Sequence, residues 1–252
     1  MIIDIHTHYG VIKDGYYMPL DMLLSAMKKC GIDYALISNI ECGIYHEGIA
    51  GNRKMLDMVR ENSDMLGCML WCCENLDEQQ KSEFEDLYLN NKDIVKGIKI
   101  HPDLSGKRAD DGCFDFFYRL GEKYNLPILL HTKKGPYSSV EYVVNAAKEH
   151  PAALLILGHM GLGSDGSEAL LAVKNYDNIY GDTAWVPVEV VAKAHKMGIS
   201  HKMMFGTDSP ISGETCYEDG CYREYFTQKN NYMEGIMAGN AKRIFRVSMR
   251  PI

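Results

Sequence analysis

Two histidines stand one residue apart near the beginning of the chain, in the segment DIHTH at residues 4–8. Imidazole nitrogens and carboxylate oxygens are the ligands that Zn²⁺, Mn²⁺ and Fe²⁺ take in proteins. Such an ion lowers the pKa of a bound water and polarises a carbonyl group, which is the chemistry of metal-dependent hydrolysis. An HxH pair alone is a weak signal, because a lone histidine at a strand end is more often a hydrogen-bonded core residue. Further ligands are therefore needed elsewhere in the chain.

The remaining candidates follow short apolar runs later in the sequence. A carboxylate beside a metal-bound water could bind the ion and also accept the proton of that water. Each candidate has an ordinary structural explanation as well, such as a turn for the aspartate of GTDSP. The candidates are Lys99 and His101 in GIKIHP, His131 in LLHTK, His159 in GHMG and Asp208 in GTDSP.

The elements that carry these residues alternate between apolar runs and amphipathic stretches. The stretches are predicted as helices because their apolar residues recur at i, i+3 and i+4. A strand followed by a helix, repeated eight times in 252 residues, indicates a (β/α)₈ barrel. An open doubly wound sheet is the alternative, but no GxGxxG turn follows the first strand. The predicted strands are residues 1–6, 34–38, 65–71, 94–100, 126–132, 153–159, 178–183 and 202–208, and the predicted helices are residues 20–31, 52–62, 77–90, 113–125, 139–150, 186–198 and 234–247.

The positions of the candidates on these strands strengthen the metal hypothesis. His6 and His8 are related as i and i+2, so they point to the same face of a strand. All candidates fall at the C-terminal ends of predicted strands, where barrel enzymes keep their chemistry. Scattered structural histidines would not share one end of the barrel. The pattern therefore predicts a metal site at the C-terminal face.

Two long loops at the same face are expected to shape the substrate site. They are residues 39–51 and residues 209–232, and the second is rich in tyrosine and acidic residues. The second loop is predicted to cover the site or to wall it. Lys133, two residues after His131, and His46, in the first loop, are candidates for binding an acidic substrate.

Composition limits the partners and the compartment. Hydrophobic residues make up 46% and charged residues 24% of the chain, which is typical of a globular protein. The net charge of −7 argues against nucleic acid, because phosphate binding needs a basic face. No apolar segment approaches the roughly 20 residues that span a bilayer, and MIIDIH contains no signal-peptide core. We expect one cytoplasmic domain over residues 1–252, with reduced cysteines, a small-molecule substrate, no membrane partner and scope for a homo-oligomer.

The ordered set DIHTH, GIKIHP, LLHTK, GHMG and GTDSP, followed by GNAKRIF, resembles the amidohydrolase superfamily. The resemblance is closest to the branch called amidohydrolase-related, or amidohydrolase 2, and it covers essentially the whole chain. It implies a (β/α)₈ barrel with one or two divalent ions, Zn²⁺ before Mn²⁺ or Fe²⁺. By the pattern of that family, His6, His8 and His131 are metal ligands, and Asp208 is both a ligand and the proton acceptor.

The resemblance implies two further roles. His159 is a second-metal ligand in members with two ions and a catalytic or substrate-polarising group in members with one. Lys99 occupies a position at which some members carry a carboxylated lysine that bridges two metals; otherwise it would bind an anionic group of the substrate. The expected substrate-binding residues are therefore Lys99, His101, Lys133 and His46.

Several reactions are consistent with this resemblance. Hydrolysis of a C–N or C–O bond, as in an amide, ester or lactone, is the main expectation. Non-oxidative decarboxylation of a planar acid is the alternative, although decarboxylases of this type tend to be longer. TatD-like nucleases carry a glutamate where this chain has Lys99, and histidinol-phosphatase-type enzymes have more histidine ligands, so both rank lower. A barrel that binds without turnover is the remaining class, and the intact ligand set argues against it.

Overall fold

The structure is a computed structural model that describes residues 1–11, 17–46, 48–211 and 231–247. Its strands are β1 (Ile3–Val11), β2 (Tyr17–Met18), β3 (Tyr34–Asn39), β4 (Leu66–Trp71), β5 (Val95–Ile100), β6 (Ile128–Lys133), β7 (Leu155–Leu162), β8 (Ile179–Asp182) and β9 (Met203–Met204). They form one sheet in the order β2-β1-β3-β4-β5-β6-β7-β8-β9. Every neighbouring pair is parallel except β1 with β2, which is a short antiparallel ribbon.

The sheet closes on itself through the residues that follow β9. The backbone N–H of Ile5 donates to the carbonyl of Phe205 (3.0 Å), and that of His8 donates to the carbonyl of Ser209 (2.8 Å). Because β1 thereby gains a parallel neighbour on its open side, eight parallel strands complete the ring. The predicted (β/α)₈ barrel is confirmed.

The inside of the barrel is apolar at one end and polar at the other. An apolar cluster collects buried side chains from every parallel strand except β5: Ile3, Ile5, Leu36, Met69, Leu129, Ile156, Tyr180 and Met204. Strand side chains two residues apart share a face. His131 therefore follows Leu129 on the inner face, and Asp182 follows Tyr180. The polar site lies directly above this apolar layer, at the C-terminal ends of the strands.

An irregularity in β1 brings its histidines to this inner face. The pairing register between β1 and β3 shifts between Asp4 and Thr7. Such a shift reverses the alternation of faces along a strand. Ile3 and Ile5 can therefore belong to the barrel core while His6 and His8 face the site above it. Regular alternation would have placed one of the two pairs outside.

The helices pack around the barrel, and most lie where the periodicity predicts them. The α-helices are α1 (Leu20–Cys30), α2 (Glu41–Ile44), α3 (Gly48–Glu61), α4 (Glu78–Leu89), α5 (Pro102–Ser105), α6 (Asp115–Tyr124), α7 (Val140–Glu149), α8 (Ser167–Asn175), α9 (Val188–Lys196), α10 (Asn231–Glu234) and α11 (Asn240–Phe245). Short 3₁₀ turns span Gly112–Phe114 and Ser200–Lys202, and a π-helical turn spans Gly235–Gly239. No helix of the described residues is long and apolar enough to cross a membrane.

Among the described helices longer than four residues, α8 is the one that the periodicity does not predict. Its buried residues are Ala169, Leu170, Ala172 and Val173, but Leu171 between them is 53% exposed. An exposed leucine inside an apolar run removes the polar face on which a helical pattern depends. The first long loop also differs from its prediction, since residues 39–51 contain α2 and the beginning of α3. Most of the second long loop, residues 212–230, lies outside the described residues.

Candidate active site

Three ligand-type atoms from the two ends of the chain meet at the C-terminal mouth of the barrel. His8 Nε2 lies 3.0 Å and His6 Nε2 lies 3.3 Å from the same oxygen, Asp208 Oδ1. All three side chains are buried. Lys99 Nζ, also fully buried, lies 2.7 Å from His6 Nε2. The strand ends thus bring together four of the residues that the sequence predicts for the site.

The outer nitrogens of both histidines are held by other side chains. His6 Nδ1 lies 2.6 Å from Asp182 Oδ2, and His8 Nδ1 lies 2.8 Å from Ser38 Oγ. A carboxylate at Nδ1 keeps the proton there and leaves the Nε2 lone pair free, which is the arrangement of metal-binding histidines. The Nε2 lone pair of His6 and the Nε2 atom of His8 then face one carboxylate oxygen at about 3 Å. Acceptor atoms this close together repel one another unless a cation or a shared proton lies between them. The three atoms therefore fit the coordination of a divalent metal.

A buried carboxylate below the site holds the two arms in position. Asp4 Oδ1 accepts hydrogen bonds from the backbone N–H groups of His6 (3.0 Å) and Thr207 (3.2 Å), and Oδ2 accepts one from the Thr207 hydroxyl. The next residue, Asp208, has a φ of 65°, in the left-handed region that few non-glycine residues adopt. Asp4 therefore couples the position of the HxH strand to the conformation that turns Asp208 into the site.

His159 is attached to the same framework. Its backbone N–H donates to Asp182 Oδ1 (2.8 Å), its Nδ1 lies 3.1 Å from the carbonyl of Ala184, and its φ is 68°. The ring centroid lies 4.8 Å from that of His6. His159 and the His6–Asp208 pair offer ligand atoms within 4.8 Å of one another. The carboxylate of Asp182 thus positions two histidines at once, His6 through its imidazole ring and His159 through its backbone N–H.

His131 and His101 form a stack at the edge of the site. Their rings are 4.0 Å apart and nearly parallel, at 11°, and the indole of Trp71 continues the stack at 6.0 Å from His101. His131 Nε2 is 3.6 Å from Asp103 Oδ2, and its ring meets that of His159 at 4.7 Å. His101 also accepts a backbone hydrogen bond from Leu104 and so caps α5.

The two remaining predicted residues lie outside this cluster. Lys133, which is 43% exposed, has its Nζ 3.2 Å from Asp103 Oδ2 and belongs to the rim of the mouth. The side chain of His46 is 65% exposed, and its Nδ1 is 3.7 Å from Glu74 Oε2. The structure therefore places Lys133 where it can meet a substrate at the entrance, and places His46 in solvent.

Burial controls the protonation of the site. It lowers the pKa of His6 and His8 and lowers that of His159 to about 4, so these imidazoles are neutral, the form that binds metals. Burial likewise lowers the pKa of Lys99 to about 8. Burial of Asp208 favours the neutral acid, but the neighbouring imidazoles of His8, His6 and His159 hold its pKa well below the ordinary value. Asp208 is therefore ionised.

Several residues of the site are absent from the sequence prediction. They share a supporting role: Asp182, Asp4 and Ser38 orient the predicted residues, and Trp185 donates from Nε1 to Asp208 Oδ2 at 3.0 Å. The sequence does carry a signal for Asp182, because this residue ends an apolar run in YGDT as the predicted histidines end theirs. Ser38 and Trp185 have none, since their roles depend on contacts with residues far away in the chain.

Comparison with known proteins agrees with this geometry. The family model Amidohydro_2, described as amidohydrolase, matches residues 3–247. The chain belongs to this amidohydrolase family, as its motifs predict. No curated protein matches the sequence.

Solved structures share the fold at low sequence identity. The 5-carboxyvanillate decarboxylase of Novosphingobium aromaticivorans, solved with manganese and 4-hydroxy-3-methoxy-5-nitrobenzoic acid, matches with a TM-score of 0.79 at 12% identity, over 98% of this chain and 96% of that one. The 2,6-dihydroxybenzoate decarboxylase of Rhizobium matches with a TM-score of 0.73 at 16% identity, over 97% and 98%. A protein of Acinetobacter baumannii assigned as 2-pyrone-4,6-dicarboxylic acid hydrolase, with bound citric acid, matches with a TM-score of 0.70 at 13% identity, over 98% and 99%.

Proposed function

We propose that this protein is a metal-dependent enzyme that removes the carboxyl group of a small planar acid without oxidation. The observation that carries the proposal is the meeting of His6 Nε2, His8 Nε2 and Asp208 Oδ1 within 3.3 Å, beside the buried amine of Lys99. The reaction differs from the main expectation of the sequence, which was hydrolysis. Decarboxylation, the alternative there, is preferred because two of the three fold relatives described above are decarboxylases.

His6, His8 and Asp208 would hold the divalent ion, with His131 or His159 completing the set. When bound, the ion supplies a Lewis acid that fixes an acidic substrate and stabilises negative charge that develops on it. A donor set of imidazole and carboxylate suits both Zn²⁺ and Mn²⁺. Zn²⁺ was the expectation from the sequence, and the manganese of the Novosphingobium enzyme makes Mn²⁺ an equal candidate.

Charge supports a carboxylic acid as the substrate class. Lys99 is a buried amine inside the mouth, and Lys133 is an amine at its rim. An anionic group that reaches this mouth meets both, and a buried amine attracts it strongly because the surroundings screen little. The small molecules named with the fold relatives are likewise acids: a nitrobenzoic acid and citric acid are bound in two of them.

The chemical step needs one proton at a defined position. Decarboxylation breaks the C–C bond to the carboxyl group and forms a C–H bond on the ring carbon, while CO₂ leaves. The ring carbon must therefore receive a proton as the electron pair of the broken bond returns to it. Asp208 is the carboxylate at the mouth, and it would take a proton from solvent and deliver it to that carbon. His159, held by Asp182 and Ala184, would orient the substrate against Asp208.

The test begins with metal content and then measures products. Purified protein is stripped with a chelator and reloaded with Mn²⁺ or Zn²⁺, and CO₂ release is followed for a panel of benzoic acids, including 5-carboxyvanillate and 2,6-dihydroxybenzoate. We expect release that requires the metal and is lost in His6→Ala and Asp208→Asn. Asp57→Asn and His201→Ala, both exposed and outside the site, serve as matched controls with wild-type activity. The proposal fails if the reloaded protein contains no metal, or if no acid of the panel releases CO₂.

Hydrolysis of a cyclic ester is the second candidate. The ionised state of Asp208 favours it, because a carboxylate of low pKa is ready to accept a proton from an attacking water. The fold relative assigned as a pyrone dicarboxylic acid hydrolase supports the same reaction. The two reactions differ in their products: lactone hydrolysis creates a new acid and no CO₂, so a pH indicator and a CO₂ assay on the same sample distinguish them.

A further inference from the structure

A single exposed tryptophan projects from the loop that follows β8. Residues 183–186 form a turn in which the backbone N–H of Val186 donates to the carbonyl of Thr183 (3.0 Å). Trp185 is the third residue of this turn and has a φ of 58°. Glycine or asparagine is the usual residue at such a position, since a side chain with a Cβ is strained there. A bulky tryptophan in this conformation needs a reason.

The side chain makes a directed contact with the site. Its Nε1 donates to Asp208 Oδ2 (3.0 Å), while the other oxygen of Asp208 faces His6 and His8. The residue remains 42% exposed, although tryptophan is the largest apolar side chain. The indole is therefore anchored by its N–H edge beside the reacting groups.

One side of this residue borders a cavity of about 130 Å³. His159, Ser164 and Asp165 contribute polar groups to the cavity, and the other side chains that line it are apolar. The apolar ones beside Trp185 include Met160, Leu162, Val186, Pro187 and Val190. A pocket with mainly apolar walls and a few polar groups, one of them His159 of the site, is suited to the planar ring of a small molecule.

We propose that Trp185 determines the substrate class by packing its indole against the planar ring of the acid while its N–H holds Asp208. The inference rests on the function proposed above and adds the group that would select a planar substrate. Aromatic rings pack favourably against each other in offset or edge-to-face geometry, and a saturated ring gains less from the same surface. The N–H contact places the indole and the proton-carrying oxygen in a fixed relation.

A purely structural role explains the residue less well. A packing residue would be buried, and a turn residue at this φ would be glycine. The exposed indole and the left-handed backbone conformation both lower stability. Strain of this kind persists mainly at functional sites. Substitution by glycine therefore separates the two explanations, because it relieves the backbone while it removes the ring.

The experiment compares two acids with the same carbon skeleton, the planar aromatic benzoate and the saturated cyclohexanecarboxylate, by calorimetric titration of the Mn²⁺-loaded protein. We expect the wild type to bind benzoate about fivefold more tightly than the saturated acid, consistent with the contribution of an aromatic pair. Trp185→Leu and Trp185→Gly should bind the two acids equally. Trp185→Phe should keep the preference but lower kcat on an accepted substrate, since it lacks the N–H that holds Asp208.

Thermal unfolding and fluorescence complete the test. Trp185→Gly should unfold at the wild-type temperature or above, so loss of the preference cannot be attributed to misfolding. The chain has two tryptophans, and the other, Trp71, is only 1% exposed. Benzoate should therefore change the emission of the wild type by more than that of Trp185→Phe, in which only the buried Trp71 remains.

Each outcome has a defined meaning. Equal binding of both acids by the wild type, or an unchanged preference in Trp185→Leu and Trp185→Gly, overturns the role of Trp185 and leaves the proposed reaction standing. Failure of the metal-loaded wild type to bind either acid refutes the carboxylic-acid substrate class, and the role of Trp185 falls with it.

Discussion

Replacement of Asp182 by asparagine should weaken metal binding without changing any proposed ligand. The carboxylate has three donors: His6 Nδ1 at 2.6 Å on Oδ2, and the backbone N–H groups of His159 (2.8 Å) and Ala184 (3.1 Å) on Oδ1. The side-chain oxygen of an asparagine would stay with the two backbone donors. Its NH₂ group would then face His6 Nδ1, where a carboxylate oxygen accepted a hydrogen bond before.

The expected loss of metal affinity follows from the imidazole ring of His6, because the neutral ring carries its proton on only one of its two nitrogens. His6 must either lose the hydrogen bond at Nδ1 or move its proton to Nε2, which puts an N–H where the metal needs a lone pair. Loss of an outer partner of this kind reduces metal affinity by about 10- to 100-fold. This corresponds to about 1.4–2.8 kcal/mol of binding free energy.

The assay is a competition titration of Mn²⁺ or Zn²⁺ against a chromophoric chelator, with circular dichroism to confirm folding. Asp177→Asn is the matched control, since Asp177 is exposed and lies five residues before Asp182. An Asp182→Asn protein that is folded and binds metal as tightly as the wild type would contradict the assigned role of the carboxylate.

Two further predictions concern stability. Thr207→Val should lower the free energy of unfolding by about 1–3 kcal/mol, because the fully buried Asp4 loses its hydroxyl donor; urea denaturation measures this, and kcat should fall as well because the same contact positions Asp208. Gly31→Ala should lower the free energy of unfolding by about 1–2 kcal/mol, because Gly31 ends α1 at a φ of 68° and a residue with a Cβ is strained in this conformation. The added Cβ would meet no atom within 4 Å, so no steric clash contributes. The substitution therefore tests backbone strain alone. The temperature of thermal unfolding should fall while metal affinity stays at the wild-type value. An unchanged unfolding temperature would show that the left-handed conformation is not required.

The barrel itself could be predicted because its signals are local. Each strand is a short apolar run buried on both faces, and each long helix repeats its apolar residues at helical spacing. Gly31, the last residue of the first predicted helix, adopts the left-handed conformation that ends a helix. Where a local signal was weak the prediction failed, as for α8, whose exposed Leu171 hides its polar face.

The candidate ligands were predictable for the same reason. His6, His131, His159 and Asp208 stand at the ends of apolar runs, and parallel strands in a barrel bring such ends to one face. Their order along the chain also carries the resemblance to the amidohydrolases, which the family match over residues 3–247 confirms. Residue type and strand position were sufficient to predict that these side chains lie together at the mouth of the barrel.

Tertiary structure alone decided how those residues are arranged. The nitrogen that His6 presents to the site depends on Asp182, which is 176 residues away in the chain. The inner face of β1 depends on a register shift against β3, and the direction of Asp208 depends on Asp4 and on the indole N–H of Trp185. Local patterns determine which side chains reach the mouth of the barrel, because they act through strand period and burial. Protonation and orientation depend on hydrogen bonds between distant segments, and only folding brings those segments together.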